Sequence, residues 1–228
     1  MAHQDRPALS IEAPTPLTPP PDFAARLSAL GVALDPAKIA LLGAYLARLL
    51  AMNERMNLTS ITSPEDVWTR HALDALTLVP LLPAPREGLS LIDVGSGGGV
   101  PGIPVAIARP DLRVTLVEAT QKKAAFLSEV ARALGLDRVR VVAERAEALT
   151  LTTHRGAYDV ATARAVGRLA VLVPWTLPFV KRGGVALLIK GQRAEEELEE
   201  ARREILRMGA AHERTVPTPT GRIVVLRG

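Results

Sequence analysis

Between residues 91 and 104 an apolar run ends in an acid, passes through a chain of glycines and then starts to read as a helix: Leu91-Ile92-Asp93-Val94-Gly95-Ser96-Gly97-Gly98-Gly99-Val100-Pro101-Gly102-Ile103-Pro104. Few folds accept such a stretch. Glycines let the backbone take positive φ and pass close to a ligand. Open α/β sheets bind ligands at the carboxyl ends of their strands, beside the first strand-to-helix turn. A second apolar run, 112–118, ends in Glu118, where a carboxylate can accept both hydroxyls of a ribose. Residues 91–118 therefore predict a strand–loop–helix–strand unit that takes an adenosine cofactor.

Two cofactor classes use this geometry. A dinucleotide wants Gly-x-Gly-x-x-Gly with its pyrophosphate on the helix N-terminus. Gly97-x-Gly99-x-x-Gly102 meets that spacing, whereas the series starting at Gly95 does not. Asp93, two residues before the first glycine, favours S-adenosylmethionine, because methyltransferases place an acid at this strand tip near the amino-acid end of the cofactor. Pro101 and Pro104 remove backbone donors that a pyrophosphate would use.

The remaining pattern sets the architecture. Six prolines lie within residues 1–21 (Pro7, Pro14, Pro16, Pro19, Pro20, Pro21), which predicts a flexible tail. Residues 22–86 read as a helical extension. Ile39, Leu42, Tyr45, Leu46, Leu49 and Leu50 form one stripe at helical spacing after Asp35-Pro36. A loop at Asn57-Leu58-Thr59-Ser60 leads to the helix start Ser63-Pro64-Glu65-Asp66, and that helix breaks at Pro83 and Pro85. From 87 to 228 strands and helices alternate. Strands are expected at 89–94, 112–118, 139–143, 158–163 and 185–190, and helices at 102–108, 121–134, 169–180 and 193–208. The runs 211–216 and 222–226 flank Pro217-Thr218-Pro219-Thr220-Gly221 and read as a hairpin. The prediction is an α/β, Rossmann-like class I methyltransferase core. Its seven-stranded, mostly parallel sheet ends in an antiparallel hairpin and carries an N-terminal helical extension. The terminal hairpin is unusual for dehydrogenases and usual for methyltransferases.

Composition narrows the chemistry. The chain has 228 residues, 48% of them hydrophobic, enough for a real core. No apolar run reaches the ~18 residues of a membrane helix. The N-terminus has no basic-then-apolar signal pattern, so a cytoplasmic location is expected. Absence of cysteine removes thiol nucleophiles and zinc-thiolate sites, and no metal is expected. A net charge of +4 permits an anionic partner without demanding one. Aromatic residues make up only 3%, so platforms for stacking unpaired bases are few; Trp68 and Trp175 are expected in the core.

Asn57-Leu58-Thr59, Arg70-His71-x-Leu73-Asp74, the glycine loop extended through Pro101-Gly102-Ile103-Pro104, Ala163-Arg164-Ala165 and Lys190-Gly191 follow one another in the order seen in a single family. From about residue 25 onward the chain resembles the bacterial small-subunit ribosomal RNA methyltransferase G (glucose-inhibited division protein B) family. The resemblance implies methylation of N7 of a guanine in 16S ribosomal RNA, with S-adenosylmethionine as cofactor and 16S rRNA or the small ribosomal subunit as partner. It places the cofactor against Gly95 and Val100, adds Ala146 and Glu147 after the third strand and Arg164 after the fourth, and matches Glu118 to the ribose. With Asp93 and Gly97 of the loop these are the candidate cofactor residues.

The residues also speak to the reaction. C5 methylation of a pyrimidine usually needs a Cys nucleophile. Methylation of an exocyclic amine usually uses an Asn/Asp-Pro-Pro-Tyr-like loop where this chain has Thr162-Ala163-Arg164-Ala165-Val166. Guanine N7 already exposes a lone pair, so positioning it in line with the methyl group can suffice. Arg164 is the candidate positioning residue; a contact from Arg to N7 itself would block the reaction. Lys122, Lys123, Arg145, Arg168, Lys190 and Arg193 fall on loops that such a fold gathers on one rim, and are candidates for RNA phosphates. His71 and Asp74 share a helical face, either as a catalytic pair or as a polar link to the core. Asn57 either caps, turns or lines the pocket. The acidic run Glu195–Glu197, Glu199, Glu200 is expected on a solvated helix turned away from RNA. A monomer is expected. A small-molecule methyltransferase is an alternative function, and an NAD-binding oxidoreductase or nucleotide sensor a more remote one.

Overall fold

The computed structural model describes residues 14–164 and 167–228. Residues 1–13 of the expected tail, and Ala165 and Val166 after the fourth strand, lie outside the described residues. Seven strands form one sheet: β1 (Ser90–Val94), β2 (Arg113–Val117), β3 (Val139–Val142), β4 (Tyr158–Arg164), β5 (Val180–Lys190), β6 (Ala211–Thr218) and β7 (Gly221–Arg227). Their order is β3-β2-β1-β4-β5-β7-β6. β1 to β5 run parallel, and β7 and β6 complete the sheet antiparallel. This is the expected Rossmann-like sheet with its terminal hairpin. The order reverses between β1 and β4, and the crevice at the carboxyl ends of those two strands is where such folds bind ligands.

Strand alternation sorts side chains onto two faces. Leu91, Val114, Leu116, Val160, Leu187 and Val225 join one apolar cluster. Ile92, Val94, Val117, Ala161, Ala163, Leu188 and Val224 join the other. The second face is covered by α7 (Ala146–Leu149), α8 (Leu169–Thr176) and α9 (Ala194–Arg207). The first is covered by α5 (Gly102–Ala108), α6 (Gln121–Ala133) and the N-terminal helices α1 (Phe23–Ala29), α2 (Pro36–Met56), α3 (Pro64–Val67) and α4 (Asp74–Leu76). By the same parity Asp93 and Arg164 point to the first face, toward those N-terminal helices.

α2 starts as the sequence predicts: the Asp35 carboxylate accepts from Lys38 N at 2.8 Å, with Pro36 at the first helical position. Its apolar stripe is buried at Leu42, Tyr45, Leu46 and Leu49. Burial of each such side chain contributes roughly 1.5–3 kcal/mol, so the helix is held by packing on the sheet. Asn57 ends it in the left-handed conformation, φ 48°, which identifies this residue as its cap. The next helix is not continuous. Between α3 and α4, Trp68–Leu73 forms a π-helical stretch, a widened turn that recurs at functional sites and here carries His71. Trp68 is buried edge-on against Phe23 and belongs to the core as expected, whereas Trp175 is only partly buried against the second cluster.

The sequence reading is corrected at several points. Residues 14–21 are not a loose tail: Leu17 N donates to Gly43 O at 3.1 Å and its side chain packs against the first cluster. α8 stops at Thr176, followed by a 3-10 turn at Leu177–Phe179, and β5 begins at Val180 rather than 185. Among the described residues no helix is long and apolar enough to cross a membrane.

Candidate active site

The glycine loop leaves β1 with Gly95, Gly97 and Gly99 all at positive φ (71°, 55° and 100°), conformations that side chains rarely adopt. It borders a cavity of about 380 Å³ lined by Gly95, Gly97, Val100, Glu118, Lys123 and Arg164, with Leu49 and His71 from the N-terminal helices and Leu58 and Thr59 from the loop between them. Tyr45 ties the loop to α2, its buried hydroxyl donating to Gly98 O at 2.9 Å. Glu118 is nearly buried and accepts from Gly97 N (2.9 Å) and Thr120 N (2.7 Å). Each carboxylate oxygen keeps a further lone pair for a ligand hydroxyl.

Asp93 sits behind this loop. It is fully buried, and Oδ2 accepts from Gly102 N at 3.1 Å, while Oδ1 has no partner. Gly102 is there because nothing larger fits: a Cβ would lie 2.3 Å from Leu116 Cδ2 and 2.7 Å from Asp93 Oδ2. Burial pushes the Asp93 carboxyl up to about 7. The residues fit S-adenosylmethionine: an open loop backbone, an acid for a ribose, apolar walls, and a buried carboxyl with an orphaned oxygen close to where a cationic ligand would neutralise it. When bound, this cofactor supplies an electrophilic methyl group on sulfur.

A second cavity, about 460 Å³, opens beside the first and is lined by Arg70, Asp74, Lys190, Gly191 and Thr220 among others. Leu58, Thr59, His71 and Arg164 belong to both linings. Arg164, at the end of β4, is the pivot. Nη1 donates to Arg70 O at 2.6 Å and to Asp74 Oδ2 at 3.0 Å, and Nη2 donates to His71 Nδ1 at 2.8 Å. The same His71 Nδ1 lies 3.0 Å from Arg70 O, and Nε2 lies 2.8 Å from Thr59 Oγ1, so both ring nitrogens are engaged. Burial and the Arg164 charge lower the His71 pKa to about 4, which keeps the ring neutral. Asp74 Oδ1 accepts from Thr220 Oγ1, in the turn between β6 and β7. His71 and Asp74 thus form the polar link that the sequence left as one of two readings, and each is committed to holding Arg164.

These buried groups set a pH signature. The native state binds Asp93's proton from 3.8, its ordinary value, up to about 7, so this group makes stability fall as pH rises through that window. His71 does the opposite: the unfolded ring is protonated below its ordinary 6.5 and the native ring is neutral down to about 4, so stability rises with pH there. The two oppose each other between about pH 4 and 6.5. D93N is therefore expected to uncover a rising stability, approaching about 1.4 kcal/mol per pH unit, and H71Q a falling one. Urea unfolding of the ligand-free proteins across this range checks it; parallel profiles for D93N and wild type would contradict it.

Gly95, Gly97, Val100, Glu118 and Arg164 are brought together on the cofactor cavity. Asp93 lies behind the loop rather than on its wall. Ala146 is buried in the second cluster and Glu147 is exposed, and neither lines the cavity. Lys123 reaches the wall, while Lys122, Arg145 and Arg193 are exposed. Two rim cations are engaged within the protein. Lys190 pairs with Glu197 at 2.7 Å, both nearly buried, and donates to Gly167 O. Arg168 pairs with Glu200 at 3.0 Å. The acidic helix therefore does not turn wholly away: Glu197 and Glu200 lie against the rim. Sequence reasoning missed Leu49, Ala119 and Thr220 as wall residues; the proline-rich turn announces a hairpin but not where it docks.

The comparisons with known proteins agree with this geometry. The family model described as rRNA small subunit methyltransferase G matches residues 38–223. A protein of Sorangium cellulosum (strain So ce56) named ribosomal RNA small subunit methyltransferase G is 62% identical over 227 residues, covering 100% of this chain and 95% of the relative. One of the same name from Roseiflexus castenholzii is 46% identical over 180 residues, covering 78% and 76%. Among solved structures, a ribosomal protein L11 methylase from Lactobacillus delbrueckii subsp. bulgaricus superimposes with TM-score 0.53 at 14% identity, covering 69% of this chain and 77% of that one, a likeness of fold alone. A family match over most of the chain and full-length identity to a curated relative, on a sheet with a glycine-loop cavity at its switch point, show that this chain belongs to the rRNA small subunit methyltransferase G family.

Proposed function

We propose that the protein methylates N7 of a guanine in 16S ribosomal RNA, with S-adenosylmethionine as methyl donor. The observation that carries the reading is the pair of adjoining cavities with Arg164 in their common wall. The first has the glycine loop and Glu118, suited to the cofactor; the second has polar walls of a size to admit a base. Support for N7 comes from what the polar groups between the cavities are doing. His71 is neutral with both ring nitrogens engaged, and Asp74 has both oxygens engaged. Neither is poised as a general base, and N7 needs none. Catalysis then rests on alignment of the lone pair with the methyl group, for which effective molarities are large. Asp74 also offsets the Arg164 charge, so that a sulfonium cation is not repelled by the wall it faces.

Lys122, Lys123, Arg145 and Arg193 would hold phosphates at the mouth, with Arg168 available if its exposed pair with Glu200 opens. Such exposed pairs contribute only about 0–1 kcal/mol. An rRNA substrate implies work in the cytoplasm. The test is transfer of label from methyl-labelled S-adenosylmethionine to small subunits from cells lacking the gene, followed by nucleoside analysis. 7-Methylguanosine is expected. Label in any other nucleoside, or transfer to small molecules only, overturns the proposal.

A further inference from the structure

The opposite, amino-terminal edge of the sheet carries a feature that the methyl-transfer site does not use. In the crossover from β3 to β4, residues 143–157, the helix is only the four-residue α7. The sheet face over β2 and β3 is left open there as a cleft of about 740 Å³, larger than either cavity at the carboxyl edge. An open sheet face needs side chains that water tolerates, but those present are of one sign. Arg113 and Thr115 of β2 share this face, and Arg140 lies opposite Thr115 in register. Arg138, one step before β3, lies opposite Arg113 by the same register. Like charges directly opposite each other on a sheet cost stability, by up to about 1 kcal/mol per pair.

The donors are largely uncommitted. Arg113 gives one N–H to Gly88 O (3.0 Å) and Arg138 one to Asp111 O (3.1 Å), of the five each guanidinium carries. Arg140 faces the cleft without an acceptor among the described residues. The Tyr158 hydroxyl bridges Thr115 Oγ1 (3.2 Å) and His154 Nδ1 (2.6 Å), so these neutral groups satisfy one another and leave the arginines free. The acids Glu87 and Asp137, also in the lining, are exposed and belong to the loops that enter β1 and β3 rather than to the strands. The Tyr158 ring is buried, and the half-buried His154 ring lies parallel to it with centroids 5.9 Å apart, so the lining offers a base little ring surface. Guanidinium forks beside so little ring surface suit a sugar–phosphate backbone.

We infer that this cleft holds a phosphodiester segment of the RNA substrate, remote from the methylated base. The inference rests on the rRNA reading above. RNA reaching both edges must span one strand length, roughly 17 Å for five residues, which a folded RNA does readily. The cleft would add affinity where the engaged cations of the carboxyl rim do not.

The test compares wild type with the combined variant R113Q, R138Q and R140Q, using small subunits that lack the modification. The variant is expected to raise KM for subunits about tenfold and to lessen the slope of log affinity against log salt by roughly 2–3, at about 0.7–0.9 for each phosphate no longer neutralised. Its affinity for S-adenosylmethionine should stay within about twofold, which also reports that the fold is intact. R140Q alone, at an exposed position, should lessen the slope by about 0.7–0.9 should the combined variant prove unstable. An active wild type whose KM and salt slope are shared by these variants overturns this inference and leaves the proposed function standing. A wild type that transfers no methyl group to rRNA removes both.

Discussion

Replacing Arg164 by alanine is expected to lower kcat for rRNA methylation by about 10²–10³-fold, the range seen when one preorganised donor is removed from a reacting centre. The side chain stands in the wall common to both cavities and is held there by Arg70 O, Asp74 and His71. Alanine also strands Asp74, whose side chain is 6% exposed, leaving Thr220 as its one side-chain partner among the described residues. Breaking a buried pair in this way costs about 3–5 kcal/mol. Activity must therefore be read beside stability, and R164K separates the two. Lysine keeps the charge beside Asp74 but lacks the planar fork that serves all three acceptors at once. R164K should retain most of the stability and still lose about 10²-fold in kcat. A kcat within about threefold of wild type for both variants, at unchanged stability, would remove Arg164 from the site.

The second large effect is expected from G102A, the smallest possible addition. The new methyl would have to occupy space 2.3 Å from Leu116 Cδ2 and 2.7 Å from Asp93 Oδ2. Overpacking of this kind costs about 1–3 kcal/mol. If the helix start shifts to relieve it, Gly102 N moves off Asp93, whose other oxygen already lacks a partner, at a further ~1–3 kcal/mol. Together these predict a loss of about 2–6 kcal/mol, or roughly 4–24 °C in Tm at about 2–4 °C per kcal/mol for a chain of this size. S-Adenosylmethionine affinity should fall with it, since the same displacement moves the loop in front of Asp93. Thermal unfolding and calorimetry check both; a wild-type Tm with wild-type affinity would show that the site tolerates a Cβ.

The parts of this molecule that were legible in its sequence are those fixed by local rules. Strand parity around Asp93, the Asp35-Pro36 helix start and the glycine loop each depend on a few adjacent residues. Glu118 was found because a strand of ordinary length places its end beside the loop. The parts that were not legible depend on pairings distant in the chain. Asp74 meets Thr220, 146 residues away, and nothing near either residue announces the other. Lys190, which looked like a phosphate ligand, is a nearer case: its partner Glu197 stands on the very next helix, but the turn that folds that helix back onto the strand end leaves no local signature. The early start of β5 was hidden by Lys181-Arg182-Gly183-Gly184, which has the composition of a turn and interrupts the ladder: Val180 pairs with Tyr158 and regular pairing resumes at Val185. Leu17 docks on α2 despite prolines on both sides, because a segment without helix or ladder can still bury one side chain and satisfy one N–H.

The product proposed for the paired cavities is 7-methylguanine in 16S rRNA. The most direct measurement is borohydride–aniline cleavage of 16S rRNA from cells with and without the gene, read by primer extension, since cleavage occurs only at 7-methylguanine. One stop is predicted to be present with the gene, absent without it, and absent again when the gene carries R164K. An identical cleavage pattern in all three strains would contradict the claim.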